Sequence, residues 1–176
     1  MKLYDAPRCP YCARVRIAMA EKGIEVERVE VDLRNRPDWV YDLNPSGKVP
    51  IIEHDGFVLP ESEVIMAYLE ELYPDPPLLP PGLRERAAAR LAVYRFDDAL
   101  GDDYYAYRRG DANRLEERLE QLDLGTDLFT AAAYAPWVIR ARDMLGVTLP
   151  SHLAEALDRL TQRPAFAAEV ATVQSL

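Results

Sequence analysis

The 176-residue chain carries 30 acidic against 21 basic residues, a formal charge of -9, which argues against a phosphate-binding surface and so against nucleic acid as a partner. At 49% hydrophobic residues it can build a core, either as one large domain or as two small ones. No apolar run approaches the roughly 18 residues that a membrane span needs, and Met1-Lys2-Leu3 leads straight into a strand pattern without a signal peptide, so no membrane partner is expected and the expected location is cytoplasmic.

Residues 2–5 read as a short strand, and the loop after it delivers Cys9 to the start of a helix over about 10–22, ended by Gly23. Cys9-Pro10-Tyr11-Cys12 holds the chain's two cysteines, and a pair this close in an intracellular-looking sequence points to redox chemistry rather than a structural staple. Pro10 suits a helix's first position, which puts Cys9 near the N-cap, where unpaired N–H groups and the helix dipole favour a thiolate. Cys9 is therefore the candidate nucleophile, with the lower pKa of the two. Cys12, one turn deeper, is a resolving thiol or simply packing. Arg8, Arg14 and Arg16 add positive charge nearby, although Arg14 and Arg16 equally fit the solvated side of the helix. His54 and His152 belong to no ligand pattern and there is no second CxxC, so no metal is expected.

Residues 25–32 alternate as a second strand, completing a βαβ unit, and residues 38–43 form a short helix. Asn44-Pro45-Ser46-Gly47 is a turn that places Lys48 and Val49. Residues 49–53 and 57–59 are strands of a hairpin, with Pro50 at a strand's first residues or in a cis turn. From Glu61 the period changes to that of a helix, with Ile65, Tyr68, Leu69 and Leu72 as its apolar stripe.

Residues 73–82 hold five of the chain's 14 prolines and cannot continue that helix, so they read as a linker. Beyond it every pattern is helical: Ala88, Leu91, Ala92, Phe96 and Ala99 in one segment, Leu115, Leu119 and Leu122 in the next. A third helix spans about 127–145, kinked or divided by Pro136, and a fourth about 151–162, with Pro164 as a stop. The expected domains are 1–73, a linker over 74–83, and an all-α domain over 84–176.

The chain resembles a cytosolic glutathione transferase of the omega-like or bacterial CPYC-containing kind. Cys9-Pro10-Tyr11-Cys12, Asn35-Arg36-Pro37-Asp38-Trp39, Asn44-Pro45-Ser46-Gly47-Lys48-Val49-Pro50 and Glu61-Ser62 occur in the family's order and spacing. The resemblance implies an α/β thioredoxin-like N-terminal domain and an all-α C-terminal domain, here shortened. It also implies a glutathione site. Pro50 would be cis, Val49 would pair its backbone with the cysteinyl part of glutathione, and Ser62 would hold the γ-glutamyl carboxylate at a helix start. Glu61 would meet the ammonium, Arg36 would reach the glycyl carboxylate, and Lys48, in the motif that ends at Pro50, is a further glutathione-binding candidate. Read singly, these residues are an edge-strand proline, a helix cap and a solvated charge. The helical domain departs from the family's pattern, since Thr126 is followed three residues on by Phe129 rather than an aspartate.

Glutathione is thus the expected co-substrate, and the implied activity is a thiol transferase or disulfide reductase that forms a mixed disulfide on Cys9 with a small-molecule or protein disulfide. Tyr11, Tyr104, Tyr105 and Tyr107 are candidates for the wall of a second-substrate pocket, the last three equally as core. Two other functions fit the same fold: a dithiol glutaredoxin-type oxidoreductase using both cysteines, and a non-enzymatic transferase-like adaptor that binds a protein partner. A homodimer is left open.

Overall fold

The computed structural model describes every residue except Thr126. It divides into two compact units, Met1–Leu78 and Leu79–Leu176.

The first unit is built on a four-stranded sheet of order β2-β1-β3-β4, from β1 (Lys2–Asp5), β2 (Glu27–Glu30), β3 (Ile51–His54) and β4 (Phe57–Pro60). β1 runs parallel to β2 and antiparallel to β3, and β3–β4 is an antiparallel hairpin. Its turn uses Asp55 and Gly56, both with positive φ, the backbone that a two-residue hairpin loop demands. Three helices accompany the sheet: α1 (Pro10–Glu21), α2 (Asp38–Leu43) and α3 (Ser62–Leu72). Because side chains alternate along a strand, the register pair Leu3 and Ile52 joins one apolar cluster with Val15, Met19, Ile65 and Leu69 of α1 and α3. The neighbouring pair Tyr4 and Ile51 joins the other, with Val40, Val49 and both cysteines. The cysteine site therefore grows from the second face of the sheet. β2 is shorter than the alternation suggested and mostly exposed, with Glu27, Arg28 and Glu30 along it, as suits an edge strand.

Lys22, at the C-cap of α1, has a fully buried side chain whose ammonium lies 2.6 Å from a Glu70 carboxylate oxygen. It donates to the carbonyls of Tyr73 and Pro76 at 2.6 and 3.0 Å, and Glu70 accepts the Leu78 N–H at 3.0 Å. The proline-rich stretch is tied to the first unit in this way as far as Leu78.

The second unit is helical: α4 (Leu83–Tyr94), a π-helical turn (Asp97–Gly101), α5 (Asp102–Arg109), α6 (Leu115–Gln121), α7 (Leu128–Asp143), α8 (Ser151–Thr161) and α9 (Pro164–Gln174). α7 is its centre, buried along nearly its whole length and packed by α4 and α9. The structure refines three expectations here. The inward stripe of α4 and the π-turn is Ala89, Val93, Phe96 and Leu100, while Ala88 and Leu91 are exposed. An alanine-rich segment offers two overlapping stripes, and Phe96, 4.2 Å from the Trp137 ring and 5.2 Å from that of Tyr134, decides which one faces inward. Pro136 does not divide α7, which runs on through it. α8 does end before Pro164, at Thr161, and Pro164 is in addition the first residue of α9, a role its fixed φ also suits.

The comparison of Thr126 with Phe129 falls outside the described residues. The cap of α7 is Asp127, whose carboxylate accepts the Thr130 N–H at 2.7 Å and the Thr130 hydroxyl at 3.0 Å. Asp127→Ala is expected to cost about 1 kcal/mol in urea unfolding. An unchanged midpoint would mean that the cap contributes nothing.

Candidate functional site

The site starts from backbone geometry at the end of β1. Residues 6–8 leave the strand, and Cys9 is the N-cap of α1, with φ -83° and ψ 117°, followed by Pro10 at the first helical position. The Cys9 N–H donates to the Ala6 carbonyl at 2.9 Å, and the Cys9 carbonyl accepts the Ala13 N–H at 3.1 Å. The Cys9 sulfur lies 3.6 Å from the Val49 carbonyl oxygen, and the Val49–Pro50 peptide is cis, as the resemblance implied. The loop before it is shaped by Asn44, whose amide donates to the Lys48 carbonyl at 2.9 Å and whose oxygen accepts from the Ser46 N–H and hydroxyl at 3.2 and 3.0 Å. Gly47 has φ +65°, and a Cβ there would lie 2.5 Å from Cε1 of Tyr41, so the aromatic ring of α2 closes down on a position only glycine fits.

Both thiols are reduced, and they differ in environment. Cys12 is fully buried, and burial pushes its thiol well up; the hydrogen bond and the charge of Cys9 add to this. Cys9 keeps a small exposure, 9%, at the helix start. The geometry thus gives a cysteine pair with an outer member at a positive helix end and an inner member held as a thiol.

Ser62 is the first residue of α3, and it follows Glu61, which has φ +73°, a conformation rare for a non-glycine residue and often met where a backbone is held for function. The Glu61 side chain is exposed. Buried Arg14 donates to the Ser62 hydroxyl at 3.3 Å, and its guanidinium sits 5.1 Å from the centre of the Tyr11 ring. Arg14 also acts on Glu63, whose carboxyl is raised by burial and lowered in opposition by that guanidinium. Neither Arg14 nor Arg16 is therefore the solvated charge that periodicity allowed. Arg16 pairs with buried Asp5 at 2.6 Å.

Cys9, Val49 and Pro50 are thus brought together, and Ser62 is joined to Arg14. Arg36 and Lys48 are exposed cations. The three tyrosines of α5 lie in the second unit. Tyr104 is buried there, its ring 5.3 Å from and nearly perpendicular to that of Tyr105, and burial raises its hydroxyl pKa. Tyr107 is half-buried and lines a shallow cavity of about 320 Å³ with the residues that open α6. Sequence reasoning missed Arg14 as a buried partner of Ser62. Sequence periodicity carries no signal for it, because its neighbours Cys12, Ala13, Val15, Ile17 and Ala18 are buried all round α1 rather than along one face.

A four-stranded sheet with a cysteine at the start of α1, a cis-proline opposite it and a helix beginning Glu61-Ser62 defines a thioredoxin-like domain. Residues 3–77 match the family model described as glutathione S-transferase, N-terminal domain. The chain is 46% identical over 83 residues to a probable glutathione transferase of Aplysia californica, a match covering 47% of this chain and 90% of that one. It is 29% identical over 124 residues to mouse glutathione S-transferase omega-1, covering 68% of this chain and about half, 52%, of the mouse protein. In fold it is similar to the omega 2C transferase of Trametes versicolor, with a TM-score of 0.84 at 23% identity, covering 99% of this chain and 95% of that one. The chain belongs to the cytosolic glutathione transferase family. Among the described residues no helix is long and apolar enough to cross a membrane.

Proposed function

We propose that the protein is a glutathione-dependent thiol transferase in which Cys9 carries the glutathionyl group. The observation that carries this reading is the placement of Cys9 at the N-cap of α1, its sulfur 3.6 Å from the Val49 carbonyl beside cis-Pro50, with Cys12 buried beneath it. The residues present match the groups of a tripeptide with two carboxylates, one ammonium and one thiol. The backbone of Val49 takes the cysteinyl unit in the manner of strand addition. The start of α3, with Ser62 and the Arg14 charge behind it, takes the γ-glutamyl carboxylate, and Glu61 takes the ammonium. Arg36 and Lys48 are cations for the glycyl carboxylate.

In this reading the Cys9 thiolate attacks the glutathionyl sulfur of a mixed disulfide and releases the substrate thiolate, which takes up a proton. A second glutathione thiolate then attacks the Cys9–glutathione disulfide, returning Cys9 as thiolate and leaving oxidised glutathione. A cysteine suits this exchange, whereas a serine or tyrosine hydroxyl suits activation of glutathione's own thiol. The dithiol reading draws on the closeness of Cys12, whose thiol is hydrogen-bonded to Cys9. Intact mass after incubation with oxidised glutathione separates them. A single glutathionyl adduct on Cys9 is expected, and loss of two hydrogens without an adduct would favour the dithiol reading. Unmodified protein would sink both.

Ser62→Ala and Arg36→Ala are each expected to weaken glutathione binding by about 1.5–3 kcal/mol, the worth of one charge-assisted contact. Titration calorimetry on folded variants measures this, and unchanged affinity in both would remove the site assignment.

A further inference from the structure

We propose that Arg16, anchored by the buried carboxylate of Asp5, is a positioning residue for the Cys9 nucleophile; the inference rests on the reading of Cys9 given above. Asp5 ends β1, and its side chain is 2% exposed. One carboxylate oxygen lies 2.6 Å from Nη1 of Arg16, and the other is bonded to Arg28 of β2. Arg16 is itself only 12% exposed, so the pair is not one that solvent screens to insignificance.

What the rest of the guanidinium does is the informative part. From the same fork, Nη1 donates to the Ala6 carbonyl at 3.4 Å and Nη2 to the Pro7 carbonyl at 3.5 Å. The Ala6 carbonyl is also the acceptor of the Cys9 N–H, at 2.9 Å. A continuous chain therefore runs from the Asp5 carboxylate through Arg16 and the Ala6 carbonyl to the backbone of the nucleophile. The segment 6–8 has neither helix nor strand of its own to satisfy its carbonyls. Held by Arg16, it fixes where Cys9 begins the helix, and hence where the sulfur sits at the helix's positive end beside the Val49 carbonyl. Two residues of this chain of contacts also act on the inner thiol. The backbone of Ala6 favours the Cys12 thiolate while the charge of Asp5 disfavours it.

A single ammonium lacks this reach, since it has no planar fork to span a carboxylate and two carbonyls. That difference separates positioning from mere stapling of α1 to β1. The measurement is the rate at which Cys9 displaces iodide from iodoacetamide at neutral pH, followed by intact mass in a Cys12→Ser background so that one thiol is counted. Arg16→Gln is expected to slow alkylation about tenfold, the scale of a small misplacement of a reacting atom. It should lower kcat for a glutathionylated disulfide by a similar factor and leave KM for glutathione within about twofold, because Arg14, Ser62 and Arg36 are untouched. Arg16→Lys retains the pair with Asp5, so its urea midpoint should return to that of the parent while the alkylation rate recovers only in part. Alkylation at the parental rate in Arg16→Gln, or in a folded Arg16→Lys if the first variant does not fold, overturns the inference and leaves the role of Cys9 standing. Turnover by a Cys9→Ser protein overturns both.

Discussion

Cys9→Ser is expected to abolish turnover of a glutathionylated disulfide, and Cys12→Ser to retain most of it. The two cysteines sit one turn apart, yet their surroundings differ in the quantity that governs thiol exchange, the fraction present as thiolate. Cys9 stands at the N-cap of α1, the end at which a helix leaves N–H groups unpaired, and a serine there is almost wholly protonated at neutral pH and forms no disulfide. Cys12 is enclosed by the sheet face, and its thiol is raised by that burial and by its neighbour. It is therefore a poor attacking group at neutral pH. The coupled assay with a glutathionylated peptide gives the answer directly. A loss in Cys12→Ser as complete as that in Cys9→Ser would mean that an internal disulfide is obligatory, and an active Cys9→Ser protein would remove the mechanism altogether.

The parts of the site that sequence made legible are those in which one residue's own chemistry dictates local geometry. Cys9 before Pro10 announces a helix start with a thiol on it, and Pro50, Gly47 and Glu61-Ser62 belong to short motifs whose backbone roles the resemblance supplied. The structure puts Pro50 in a cis peptide, Gly47 at positive φ and Ser62 at the first position of α3. Arg14 and Arg16 were not legible, because periodicity divides a helix into an apolar and a polar side only when one side faces water. On α1 seven of twelve residues are buried, Arg14 among them, so a charge on this helix needs a partner from elsewhere in the fold, and Ser62 and Asp5 are 48 and 11 residues away in sequence.

The helical unit is less legible for a related reason. Alanine is small enough for either face of a helix, so 83–94 carries no unique stripe until Phe96 finds Tyr134 and Trp137. A proline after a helix is a stop and a start at once. Only the ten helical residues that follow Pro164, with Phe166 and Val173 buried, show that here it opens α9.

The charge carried into the core by α9 leads to a large expected effect on stability. Glu169 and Arg140 of α7 are each about 2% exposed, and their side chains meet at 2.9 Å. Arg140 also donates to the Pro136 carbonyl at 2.9 Å, one turn earlier on its own helix. Two charges so enclosed have given up hydration that their mutual attraction restores only while both are present. Glu169→Ala leaves a guanidinium buried without its counter-charge, and a loss of about 3–5 kcal/mol is expected in urea unfolding of the whole chain. Arg140→Ala, which strands the carboxylate, should cost a similar amount. The double change Arg140→Met with Glu169→Leu removes both charges and fills the space, so it should recover most of the loss and come within roughly 1–2 kcal/mol of the parent, the scale of a volume-conserving swap. That reversal is what distinguishes a buried pair from two independent packing residues. If the double variant were as unstable as the sum of the single ones, the pair would be packing alone.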